Sequence, residues 1–106
     1  MATFYNVPRK NIPSSGITYL TSKSDSTIIL SILVANTNGA SASDVTVNML
    51  NGSNTNVATL AYTVTVPADS NVELLANKLI LSSGFKLEFL SSTSGTLDTS
   101  ISYVEV

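Results

Sequence analysis

At 106 residues the chain is the size of one domain, long enough to bury about two-thirds of its unfolded surface and fold alone. Apolar residues make up 43% and charged residues only 11%, a balance that excludes intrinsic disorder and argues against a helical domain rich in Glu, Lys, Arg and Ala. The net charge of −2 lacks the clustered positive field that nucleic acid requires, and the absence of cysteine excludes a disulfide framework.

The first segment, Met1 to Gly16, carries Pro8, Pro13 and "SSG", each set against regular structure. "TFYNV" could pair as an edge strand, but the segment reads mostly as an extended N-terminal arm, followed by a domain over residues 17–106. It has neither the basic nor the continuous apolar region of a signal peptide, which points to folding in a cytoplasm. "ITYLTS" is a short strand closed by "KSDS". "TIILSILVAN", Thr27 to Asn36, is apolar on both alternating sets, with Ile28, Leu30, Ile32 and Val34 on one face and Ile29 and Leu33 on the other. Such a strand is either covered on both sides or lies at a subunit contact. The apolar run at its heart is far too short to cross a bilayer, so no membrane partner is expected.

Asn38-Gly39 and Asn51-Gly52 suit the positive φ of type I′ turns. Between and beyond them, "DVTVNML", "VATLAYTVTV", "FKLEFL" and "TLDTSISYVEV" alternate strictly. In the second of these, Leu60, Tyr62, Val64 and Val66 share one face. The fourth places Leu97, Ile101 and Tyr103 on one face and Asp98, Ser100 and Ser102 on the other. Strands beginning about every 8–14 residues are the mark of a sandwich or barrel. The expectation is all-β: a single antiparallel β-sandwich, jelly-roll or Ig-like, of about seven or eight strands. "NVELLANKLIL" is ambiguous by itself. Ser70 or Asp69 could cap a short helix with Glu73 in its first turn, yet the β-rich setting favours two short strands, "VELLA" and "KLILS".

The series from "YTVTVPADSNVELLANKLIL" to "SYVEV" resembles small β-sandwich virion proteins of tailed bacteriophages, of marine phages and cyanophages in particular. The matching positions are Val66, Pro67, Ala68, Leu74, Leu75, Lys78, Leu79, Leu81, Gly84, Leu87, Leu97, Asp98, Ser102, Tyr103 and Glu105. With "SILVANTNGASASDVTV" included, the likeness spans about residues 27–106, and Phe85 departs from it where an acidic residue is usual. The resemblance implies a structural, non-enzymatic protein of the virion, assembled in the host bacterial cytoplasm. It would be a capsid decoration or cement protein, or a neck, tail or fibre component. The partners implied are the major capsid protein or other virion proteins, with a homo-oligomer possible.

Chemistry has little to work with. Without His or Cys the commonest general base, the strongest nucleophile and the usual transition-metal ligands are missing, and no cofactor or metal is expected. The carboxylates Asp25, Asp44, Asp69, Glu73 and Asp98 read as solvated charges at strand ends and turns, and "PADSNVE" lacks the spacing of a calcium loop. A carbohydrate-binding module is the reading from another class, but it calls for aromatic platforms, and the chain has no Trp and four Tyr. The candidate partner contacts are Phe4, Tyr5, Arg9, Lys10 and Ile12 in the arm, with Ile29 and Leu33 on the second face of the apolar strand.

Overall fold

The computed structural model describes residues 2–23 and 26–106, so Asp25 lies outside the described residues. Among these, regular structure is all strand: β1 Thr3–Arg9, β2 Ile17–Thr21, β3 Ser26–Asn36, β4 Ser43–Leu50, β5 Asn56–Val66, β6 Asn71–Glu73, β7 Leu79–Ser82, β8 Lys86–Ser91 and β9 Leu97–Glu105. One sheet runs β1-β9-β3-β6, with β7 also on β3, and the other runs β2-β8-β4-β5, every pairing antiparallel. The chain crosses between the sheets at most connections, and this alternation makes an eight-stranded jelly roll whose sixth strand is broken into β6 and β7. "NVELLANKLIL" is therefore a split strand and not a helix.

The break in that strand has a local cause. β7 covers Ser26–Ile29 of β3 and β6 covers Leu33–Ala35, leaving the stretch between them without a strand partner. There β3 bulges: its register on β9 shifts between Ile29 and Ser31, and Leu30 is the extra residue. Glu73 fills the gap. Its carboxylate accepts the Ile32 N–H at 2.7 Å and the Ser31 hydroxyl, while the Leu74 N–H donates to the Ile32 carbonyl at 2.9 Å. Glu73 is thus a structural acceptor and not a loose surface charge.

The bulge also corrects the faces read from alternation. Thr27 and Ile29 point inward, then Ile32, Val34 and Asn36 do, because one added residue inverts the phase. β5 behaves alike. Ala61 pairs with Val47 and Val64 with Val45, so two residues, Tyr62 and Thr63, oppose Thr46 alone. Thr63 takes φ 48°, Ala61 turns into the core, and Tyr62 points to solvent against the expectation.

The core between the sheets is built on Phe89, Leu87, Leu81, Leu97, Ile101, Ile29, Ile32, Val34, Val45 and Val47. Burying each such side chain stabilises the fold by roughly 1.5–3 kcal/mol. Among the described residues no buried side-chain polar atom lacks a partner. Asn36 shows how: its amide donates to the carbonyls of Ser41 and Val66, both at 3.0 Å, and its oxygen accepts the Asn38 N–H. That side chain pins the β3–β4 crossover to the end of β5. Neither Gly39 nor Gly52 adopts positive φ, so the expected type I′ turns are absent. The first joins strands of different sheets, and the second is a longer loop in which Asn54 takes the left-handed position at φ 62°. In "VPADS", Asp69 does the same at φ 57° as the chain crosses from β5 to β6.

The N-terminal segment is extended, but residues 3–9 pair with β9 along the full length of β1 instead of reaching away. Ile12 then enters the core, its N–H donating to the Leu97 carbonyl at 2.8 Å. The sequence hid this because Pro8 sits on an edge strand, where a missing donor costs little.

Two outcomes follow. Removing residues 2–12 strips one edge strand and a core residue, so the remainder should lose its cooperative unfolding transition in circular dichroism; a stable folded remainder would show that β1 is dispensable. Glu73→Ala should lower stability in urea by about 1 kcal/mol, modest because the carboxylate is solvent-exposed.

Candidate interaction surface

The predicted contact residues separate into three groups. Ile12 and Ile29 are completely buried and cannot touch a partner. Alternation could not reveal that, because the bulge fixes Ile29 inward and the fold draws Ile12 under β9. Phe4, 72% exposed, and Leu33 lie on the outer face of the first sheet. Tyr5 and Arg9 face the opposite way, and Lys10 pairs with Asp98 at 3.4 Å.

On that outer face the register aligns one cross-strand row: Phe4 with Val104, Val104 with Ile28, and Ile28 with Ile80. Ile80 is 65% exposed and Val106, two residues beyond Val104, is also exposed, so the row is an apolar band at one end of the sheet. The next row, Asn6 with Ser102 and Ser31, is polar, and the Asn6 amide donates to Ser100 at 2.8 Å and to Ser102 at 3.2 Å. The second sheet's outer face carries a polar network beside the exposed Tyr62. Asn48 donates to Glu88 and accepts from Thr59, and Thr65 donates to Asp44. The two outer faces thus differ in kind. Sequence reading found Phe4 but missed Ile80, Val104 and Val106, since only strand register makes them neighbours.

A second feature lies where β1 and β2, the end strands of the two sheets, run past one another. A cleft of ≈ 390 Å³ opens there, lined by Tyr5, Val7, Arg9, Tyr19, Leu20, Thr21, Lys23, Tyr103 and Glu105. Tyr5 stacks on Tyr103 with centroids 5.2 Å apart, and the Arg9 guanidinium lies 5.9 Å from the centre of the Tyr19 ring. Burial raises the Tyr19 phenol above its ordinary value; Arg9 opposes this and Asp98 adds to it. Tyr103 is raised first by burial, then by Glu105 and Tyr5, with Arg9 again opposing. The sequence singles out neither Tyr19 nor Lys23, and it marks Glu105 only as a position of the resemblance. They sit on separate elements with no shared motif.

No protein-family model matches the chain. No curated protein matches it in sequence. Solved structures do match in fold. VP2 of infectious bursal disease virus, in the crystal structure of its subviral particle, aligns with a TM-score of 0.53 at 13% identity, over 98% of this chain and 33% of its own. The structure of the Gx strain of that virus gives 0.58 at 9% identity, over 99% and 33%. The T13 viral particle gives 0.55 at 10%, over 98% and 31%. This chain therefore spans about a third of the length of those it matches. At such identities the likeness is one of fold: the jelly roll read from strand order recurs, nearly end to end, inside larger chains.

Because Tyr19 and Tyr103 hold their protons more tightly folded than unfolded, their contribution to stability is full below pH 10 and is lost as pH rises through their folded values. Unfolding followed from pH 8 to about 11 should show this loss, and the double variant Tyr19→Phe, Tyr103→Phe should flatten it. An unchanged slope in that variant would place the alkaline sensitivity elsewhere.

Proposed function

We propose that the chain is a structural unit of a virus particle, joined to its neighbours by protein–protein contact, and that it serves as a decoration or cement protein on a bacteriophage capsid. The observation that carries this reading is the alignment of 98–99% of the chain with chains of infectious bursal disease virus particles. The phage assignment rests on the sequence resemblance over residues 27–106 to virion proteins of tailed phages. The contact surface is the apolar band of exposed Phe4, Ile80 and Val106 and half-buried Ile28, lying over the buried Val104 and turned toward the shell. The polar second sheet, with its Thr, Asn, Asp and Glu side chains, then faces outward.

The energetics suit attachment to a lattice. A stable pairwise interface buries about 1,600 Å² in total. A band of a few side chains supplies only part of that, but repeated sites on one particle multiply weak contacts. The partner of this band is a major capsid protein or another virion protein, with neighbouring copies of the chain beside it, and assembly takes place in the bacterial cytoplasm.

Quantitative mass spectrometry of purified particles tests the assignment. A copy number in proportion to the major shell protein is expected, and particles lacking the chain altogether would overturn the virion reading. A few copies per particle would move it to the neck, tail or fibre. The double variant Phe4→Ser, Ile80→Ser should stay folded and join particles poorly; normal incorporation would exclude the apolar band as the contact.

A further inference from the structure

We propose that the cleft between β1 and β2 binds an acidic oligosaccharide, its carboxylate on Arg9 and a pyranose face against Tyr5. This site is separate from the apolar band, since Tyr5, Val7 and Arg9 alternate with Phe4 and Asn6 along β1 and so face the other side of the sheet.

The shape sets the first constraint. Arg9 is opposite Thr99 and Thr3 is opposite Glu105, so Arg9 and Glu105 lie roughly 20 Å apart along the cleft at strand spacing. A volume of ≈ 390 Å³ spread along that length is an open trough, at the small end of ligand sites, and accepts a short linear chain lying lengthwise. The lining sets the second. Tyr5, stacked on Tyr103 and still exposed, presents an apolar face with a polar tip, which suits a sugar that has C–H edges on one side and hydroxyls around its rim, while the Tyr19 ring packs on Phe89 and carries Arg9. Val7 and Leu20 form an apolar floor, Thr21 adds a hydroxyl, and Glu105 at the far end accepts sugar hydroxyls.

Charge selects the acid. Among the described residues the ion pair is Lys10–Asp98, which leaves Asp98 engaged by Lys10 at 3.4 Å and by the Asn11 N–H at 2.9 Å. Arg9 donates to the Pro8 carbonyl at 2.8 Å and lies over Tyr19, so its planar fork has no carboxylate partner there. A sugar carboxylate satisfies it in the two-pronged geometry that arginine favours, and Lys23 adds a second positive charge. An extended peptide is the weaker occupant. Strand addition to β1 needs a row of backbone donors, and Pro8 removes one. It also needs alternate apolar pockets, where this cleft offers polar tips.

The test uses the full chain displayed multivalently on a glycan array of uronic- and sialic-acid oligosaccharides, their carboxyl-reduced counterparts and sulfated analogues. The acidic members should bind, and reduction of the carboxyl should weaken binding about tenfold or more. Arg9→Gln should abolish that preference while thermal unfolding stays unchanged, and Tyr5→Ala should weaken acidic and neutral members alike. Amide shifts of Tyr19, Thr21 and Tyr103 on titration of the wild-type chain should map the trough independently of any variant. A blank array, equal binding of reduced and acidic sugars, shifts outside the trough, or displacement by extended peptides but not by sugars would each overturn the inference. None of these outcomes touches the virion reading, which depends on particle composition.

Discussion

The register of β3 on β9 is the constraint on which the rest of the molecule depends. β3 is the strand that β9, β6 and β7 all contact, and its one added residue at Leu30 divides it into two segments of opposite phase. Above the bulge, Thr27 and Ile29 fill the core; below it, Ile32, Val34 and Asn36 do. A straight strand would have put either Ile29 or Ile32 outside. The bulge therefore lets an apolar strand of eleven residues supply the core from end to end. Its cost is an unpaired stretch at the sheet edge, and Glu73 offsets that with a carboxylate aimed at the Ile32 N–H.

The same device explains why so little charge is needed. Groups that a jelly roll strands at its crossings are met here by neutral Asn, Ser and Thr side chains. Asn36 ties the first crossover to the end of β5, Ser43 bonds Thr96 across the top of the sandwich, and Thr99 donates to the Leu33 carbonyl. Ser22 and Thr27, both buried, bond each other at 2.8 Å. Such short side chains give up little rotamer freedom on folding and are insensitive to salt. A low-charge composition thus reflects how the fold satisfies its backbone.

Both surfaces of functional interest descend from this arrangement. The first sheet shows solvent an apolar row at one end because Phe4, Ile28 and Ile80 come into line across four strands around the buried Val104. On its inner side the same four strands place Tyr5, Tyr103, Ile29 and Leu79 in line; the last two close the core, and the two tyrosines reach the cleft beside β2. One strand, β1, thereby presents an apolar surface on one face and the cleft side chains on the other. A chain of this size can hold a neighbour with one side of a sheet and keep a polar, aromatic trough open on the other.

Period-two alternation and turn chemistry alone determined the all-β class, the antiparallel sandwich and the positions of the later strands. These rest on local preferences that every residue carries with it. "FKLEFL" and "TLDTSISYVEV" lie as their alternation predicts, because neither contains a bulge. Tertiary structure decided the rest. The bulges at Leu30 and at Tyr62–Thr63 inverted two strands, since an added residue leaves no mark in composition and is fixed only by the partner strand. The N-terminal segment became β1 because β9 offered it an edge, a pairing that "TFYNV" allowed but that Pro8 and Pro13 argued against. Of the seven candidate contacts, Phe4 and Leu33 reached the outer face, Tyr5 and Arg9 the cleft, Ile12 and Ile29 the core, and Lys10 an ion pair with Asp98. A surface is a relation between strands far apart in the chain, and such a relation exists only once their register is set.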